Sequence, residues 1–371
     1  MSHLLSHYKI LDFSRILAGP FATQLLADFG AEVLKIEPAA GDPTRGWGPP
    51  FDGPKGDSAF FRCANRGKRS LAMDLADEGC RAILHELMTS ADVLVENFKP
   101  LAAEEMGLTW EKIHDRYPKL IVASVRGFAS DVPAARRPGY DFVLQAESGI
   151  MSLTGEPDGR PTKAGVPVVD IVGALYLANG IQAAMLHRER TGEALHVEVP
   201  LMEAALALLA NVAAETLMTG EAPRRQGSAH SQIVPHQTFA CRDGEVAICC
   251  GSDRQFEVLA LWAGIDLDQE PDWRCNRGRV RDRDRLVAIL AGHFAGTTLE
   301  EAIRVCDTHA IPASRVRTVD DVLFRQAGEL HQLVTTLYDE AGGRMIPVLA
   351  SPVLFNDLRA RSRIPPPGLQ E

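Results

Sequence analysis

The sequence predicts an α/β protein with a parallel sheet, plus a smaller α+β domain inserted into the chain. Three observations predict it. Short apolar runs alternate with helix-period segments through the first third. A strong hairpin signal follows the middle of the chain, and two strand patterns near the end bring it back to the first domain.

Residues 8–13 (YKILDF) read as a buried strand, 20–29 as a helix and 32–37 (EVLKIE) as a second strand. A Gly/Pro-rich loop covers 38 to about 57. Residues 71–75, a helix over about 78–89 and residues 93–97 repeat the unit. A helix near 110–117 and the strand 120–125 complete it. Strands separated by helices imply a Rossmann-like parallel sheet covered on both faces. A long helix is expected from about Asp170 to Thr191-Gly192, then a strand over 196–201 and a buried helix over 204–218.

Residues 238–241 and 245–250 flank Arg242-Asp243-Gly244, a hairpin turn signal. Helix patterns follow at 255–262 and 283–294. Thr298 and Glu301 have capping-box spacing and open a third. Strands at 333–338 and 345–349 are joined through Gly342-Gly343. The expected division is a large domain beginning over 1–200, a helix and linker over 201–225, a small domain over 226–315, and a return to the large domain over 316–371.

The chain has 371 residues, 46% hydrophobic and 24% charged, an ordinary globular mix. Its net charge of −10 disfavours nucleic acid. The Arg-rich stretch 274–285 alternates with Asp and reads as a solvated helix start. Residues 1–9 are polar and carry no signal pattern. The longest uncharged runs, 171–186 and 204–214, fall short of the ~18 residues of a spanning segment and read as buried helices, so no membrane partner is expected. Seven scattered cysteines without a CxxC pair suggest a reducing, cytoplasmic location and no cysteine-based metal site.

P-loop, HExxH and GxSxG patterns are missing. SRILAGP follows the first strand in place of GxGxxG, which argues against a nicotinamide cofactor. A strand–loop–helix unit can still place a ligand phosphate at the helix N-terminus. His230 and His236 lack ligand-spaced partners, and Cys249-Cys250 falls in a buried strand pattern.

Several segments, in this order and spacing, resemble the family III CoA-transferases, the group that includes formyl-CoA and carnitine CoA-transferases. They are LDFSRILAGP (11–20), GAEVLKIE (30–37), GDPTRGW (41–47), NRGKRSLAMDL (65–75), VENFKP (95–100), PGYDFVLQAESG, TGEPDGRPTKAGVPVVD and RERTGEALHVEVPL. The resemblance implies a nucleophilic aspartate at Asp170. A carboxylate there can attack an acyl-CoA thioester and pass through an anhydride and an aspartyl-CoA thioester, without metal or ATP. Spacing alone reads Asp170 as the N-cap of a buried helix. The two roles are compatible, since the positive helix end would keep the carboxylate ionised.

The resemblance also implies that coenzyme A is contacted at Leu17 and Ala18, at Met73, Asp74 and Leu75, at Asn97, Phe98 and Lys99, and at Arg137, Gly139, Tyr140 and Asp141. Lys68, Arg69, Lys99 and Arg137 are candidate phosphate partners. Arg45, Arg126, Arg136, Arg160 and Lys163 are candidates for an acceptor carboxylate. Pro38 and Glu105 stand where some members have arginines that touch the nucleotide. An interlocked homodimer is implied as well. Two alternatives are an α-methylacyl-CoA racemase, which the same fold also serves, and, from another class, a CoA-binding protein without turnover. Racemases have a His where this chain has Tyr140, and a tyrosine with its reference pKa near 10 is a poor base for neutral proton exchange.

Overall fold

Six parallel strands, β1 (Lys9–Asp12), β2 (Glu32–Glu37), β3 (Lys68–Ala72), β4 (Val93–Glu96), β5 (Ile121–Arg126) and β6 (His196–Pro200), pair in the order β3-β2-β1-β4-β5-β6. The computed structural model describes residues 4–53, 56–75, 77–325, 333–340 and 342–370. The helices of the first half are α1 (Ala18–Asp28), α2 (Ala59–Cys63), α3 (Glu78–Ser90), α4 (Pro100–Glu105), α5 (Trp110–Arg116), α6 (Asp141–Glu147), α7 (Ile150–Leu153) and α8 (Val168–Thr191).

Central strands such as VLVE and IVASVR are apolar on both sides because both faces of the sheet are covered. On one face Ile10, Val33, Val93, Val95, Ile121 and Ala123 pack with Leu26 of α1 and Leu177 and Ile181 of α8. On the other, Leu11, Leu94 and Val122 pack with Leu84 and Met88 of α3 and Ile113 of α5. Strand order reverses between β1 and β4, which opens a crevice at the carboxyl ends of those strands.

Met1–Ile150, Ala164–Ala213 and Ala327–Glu371 form one compact unit, and Met151–Lys163 with Ala214–Gln326 form a second. The sequence reading placed the small domain at 226–315; the contacts group 151–163 and 214–326 together. The second unit has an antiparallel sheet of β7 (His236–Cys241), β8 (Gly244–Cys249) and β9 (Ala313–Arg315). Gly244, at φ 148°, closes the two-residue turn, and Asp243 accepts a hydrogen bond from Leu299 N–H at 2.8 Å.

Two helices follow β6, α9 (Leu201–Ala207) and α10 (Ala210–Thr219). In the second unit come α11 (Asp253–Trp262), α12 (Asn276–Arg281), α13 (Arg283–Ala295) and α14 (Leu299–Thr308). Phe239, Val246, Phe256, Leu290 and Phe294 form the core of that unit. Back in the first unit, β10 (Val334–Asp339) and β11 (Arg344–Leu349) pair as a separate hairpin, and Arg344 ion-pairs with Asp52 at 2.6 Å.

Three expectations are corrected. The helix expected over 204–218 is broken between α9 and α10, where Ala210 takes φ 40°. Arg279, within the stretch read as solvated, is buried, donating to Val234 and Trp273 carbonyls at 2.7 and 2.9 Å and to Asp253 at 2.8 Å. Helix α8 starts at Val168, before Asp170, and runs 24 residues, long and apolar enough by length and composition to cross a membrane. Its Ala174, Leu177, Ile181 and Met185 are buried in the core.

Candidate active site

β1, β2 and β4 each end on a buried carboxylate: Asp12, Glu37 and Glu96. Buried charges persist only when paired and hydrogen-bonded. Asp12 accepts from Lys68 at 2.8 Å and Thr23 at 2.6 Å. Glu37 holds Arg45 at 2.7 and 2.9 Å, and Glu96 holds Arg126 at 2.6 and 3.0 Å. The same groups anchor the loops that follow the strands. Asp12 accepts from Ser14 N–H at 3.0 Å, Lys35 donates to the Ser14 carbonyl at 2.8 Å, and Glu96 accepts from Phe98 N–H at 2.9 Å.

Asn97 grips the loop after β1 from the other side. Its side chain accepts from Arg15 N–H at 2.9 Å and donates to the Arg15 carbonyl at 2.7 Å. Next to this clamp Ile16 sits at φ 73°, a region β-branched residues rarely enter. Leu17 and Ala18 follow at once as the start of α1.

These loops border a cavity of about 270 Å³ beyond β1, β4 and β5. Leu17, Ala18, Asn97, Phe98, Lys99, Arg137, Gly139, Tyr140 and Asp170 all line it. A second cavity, about 470 Å³, lies beyond β2 and β3 and is lined by Met73, Asp74 and Leu75. The site residues expected from sequence therefore fall into two neighbouring cavities, with Phe98 in both walls. Asp141 lines neither.

Asp141 instead completes α8. Pro167 precedes that helix and offers no side-chain acceptor. Asp141 Oδ1 accepts from Val169 N–H at 2.8 Å and, at 3.4 Å, from Asp170 N–H. Gln145 donates to Asp141 Oδ2 at 2.6 Å, and its own Oε1 accepts from Ala164 N–H at 2.8 Å. Asp170 is thus not the N-cap but lies in the first helical turn, with its backbone fixed by another carboxylate.

Asp170 is 9% exposed. Among the described residues its own carboxylate makes no hydrogen bond or ion pair. Burial first, and repulsion from Asp141 second, push its pKa up from 3.8 to about 7. This corrects the expectation that the helix end keeps it ionised. Near neutral pH the group is divided between acid and carboxylate, and the carboxylate form is more basic and less hydrated than an exposed aspartate.

The other candidates sort by their partners. Arg137 makes a two-pronged bond to Glu147 at 2.7 Å on each arm and lies over the Phe128 ring. Lys99 is exposed on the cavity rim. Lys68, expected as a phosphate partner, is fully buried and bound to Asp12, Asn65 and the Pro20 carbonyl, each at 2.8 Å. Arg69 ion-pairs with Glu32 on the exposed sheet edge. Arg45 is engaged by Glu37 and Asp57 over the Phe61 ring. Arg126 and Arg136 line the first cavity, whereas Arg160 and Lys163 belong to the second unit.

Gly139 is needed for a close approach. A Cβ there would meet the Gly127 Cα at 2.5 Å, so two backbones touch beside Tyr140. Sequence reasoning missed Arg15 and Trp47 as lining residues. The available signal was position: Arg15 follows the carboxyl end of the first strand, where α/β sheets bind ligands. Among the described residues no group of three or more His, Cys, Asp or Glu is placed to hold a metal ion.

The sequence model of CoA-transferase family III matches residues 5–371. A succinate–glutarate CoA-transferase of Agrobacterium fabrum is 37% identical, with 99% of this chain and 93% of the relative covered. An acetyl-CoA:oxalate CoA-transferase of Acetobacter aceti is 36% identical over 91% of this chain and 86% of its own. The crystal structure of a CAIB/BAIF family protein from Brucella suis superposes with a TM-score of 0.86 at 37% identity, covering 99% of this chain and 96% of that one.

Proposed function

The chain belongs to CoA-transferase family III, and we propose that Asp170 is the carboxylate through which it moves CoA from an acyl-CoA to a free acid. One observation carries the reading: a buried carboxylate with no partner among the described residues faces a cavity at the switch point of the sheet. The Asp170 oxygen attacks the thioester carbonyl, the C–S bond breaks, and CoA leaves as a thiolate beside a mixed anhydride. The thiolate attacks the aspartyl carbonyl and releases the donor acid as its carboxylate, leaving an aspartyl-CoA thioester. The acceptor carboxylate attacks that thioester and the thiolate attacks the new acyl carbonyl, which frees acyl-CoA and the Asp170 carboxylate. No net proton is consumed. Burial of Asp170 keeps water from the activated carbonyls.

CoA lies with its adenine end in the cavity of Met73, Asp74 and Leu75 and its thioester beside Asp170. The fit supports this: the second cavity is largely apolar, as a purine requires. The acceptor is a short dicarboxylic acid, a class that includes the acids named for the relatives, succinate, glutarate and oxalate. Arg136, on the cavity wall and without an ion pair among the described residues, suits a second carboxylate. We also read the enzyme as a cytoplasmic homodimer. Exposed Leu175, Tyr176 and Leu186 on α8 favour a covering partner, and the free thiols fit a reducing compartment.

A matrix of acyl-CoA donors and free acids, read by mass spectrometry, tests the reading. CoA should appear on short dicarboxylic acids with the native enzyme, and Asp170→Asn should abolish transfer. Transfer that survives Asp170→Asn, or inversion of a 2-methylacyl-CoA in deuterated water without a second acid, contradicts it.

A further inference from the structure

We propose that Arg15 is the cation that fastens the diphosphate of CoA, at the junction of the two cavities. The inference rests on the reading that CoA extends from the second cavity to Asp170. Such a ligand is apolar at its base, reactive at its thioester and strongly anionic between them. Arg15 and Phe98 are the residues that line both cavities. Among the described residues Arg15 is also the one cation on the wall of the second cavity, where the other charged side chains are Glu37 and Asp74.

The guanidinium is held ready. It lies 5.0 Å from the centroid of the Phe98 ring and has no carboxylate partner among the described residues. Stacking uses the flat face of the group and leaves its N–H edge for an anion, a geometry that suits phosphate oxygens. Two neighbouring arginines differ, since Arg126 and Arg137 are each engaged by a glutamate. The backbone of Arg15 is fixed by both arms of Asn97, and the residue before it by Asp12 and Lys35. This much local ordering around a half-buried arginine with no carboxylate partner among the described residues is explained by an anion that arrives with the ligand.

Calorimetric binding of CoA and of dephospho-CoA, which keeps the diphosphate but lacks the 3′-phosphate, tests the assignment. Arg15→Gln should weaken both by the same factor, about tenfold or more. The affinity of Arg15→Gln should also fall less steeply with added salt than that of the native enzyme. Arg15→Lys, which keeps the charge, should regain part of the loss. Unchanged CoA affinity in Arg15→Gln, a loss confined to CoA and absent with dephospho-CoA, or an unchanged salt slope overturns the proposal. Failure of the Asp170 chemistry with intact Arg15 dependence would leave this inference standing.

Discussion

Replacing Asp141 by asparagine separates its two effects on Asp170. The amide keeps an oxygen for Val169 N–H, now 2.8 Å away, so the cap on α8 survives while the charge is removed. The new –NH2 faces Gln145, which at present donates to Oδ2 at 2.6 Å, so one hydrogen bond is lost, about 1 kcal/mol of stability. Burial is the larger cause of the rise of Asp170 to about 7, and Asp141 the smaller. Neutralising Asp141 should therefore lower the Asp170 midpoint, by less than half of the whole rise. The attacking species is the carboxylate, so the acid limb of kcat/KM against pH should have its midpoint near 7 in the native enzyme and move toward acid in the variant. The assay is initial-rate CoA transfer between pH 5 and 9. An acid limb that stays in place or moves toward higher pH would refute the argument that the Asp141 charge raises the pKa of Asp170.

Three further outcomes follow from the same geometry. Asp170→Asn should be stabilised relative to the native protein at pH 8 by about 4 kcal/mol and much less at pH 4. The folded aspartate retains a proton up to about 7 that the unfolded chain loses near 4, so native stability falls as pH rises through that window; urea melts at the two pH values measure it. Lys68→Met should cost about 3–5 kcal/mol by stranding Asp12, and adding Asp12→Leu should recover much of it, as read by paired denaturation curves. Gly139→Ala should lower kcat/KM by about tenfold or more, because the Cβ must displace the Gly127 backbone, which is itself part of the cavity wall; steady-state kinetics and a thermal melt distinguish displacement from unfolding.

Much of this architecture is legible in local pattern. VLVE and IVASVR announce strands buried on both faces, and the turn at Arg242-Asp243 announces its hairpin. What local pattern misses is supplied from far along the chain. Asp170 reads as an N-cap because the acceptor that caps α8, Asp141, comes from a helix 29 residues earlier. Lys68 reads as a surface cation because nothing near it in sequence shows that Asp12 awaits it inside the sheet. The break before Ala210 has no glycine or proline to mark it. Arg15 passes unnoticed within SRILAGP until its place between two cavities is seen.

The central claim is that the acyl group and CoA pass through one carboxylate. Native enzyme is mixed with succinyl-CoA, quenched with hydroxylamine and digested, and the peptide carrying residue 170 is weighed by mass spectrometry. Conversion of the Asp170 side chain to a hydroxamate, dependent on the acyl-CoA and absent in Asp170→Asn, is the predicted result. A hydroxamate at another residue during active transfer would contradict it.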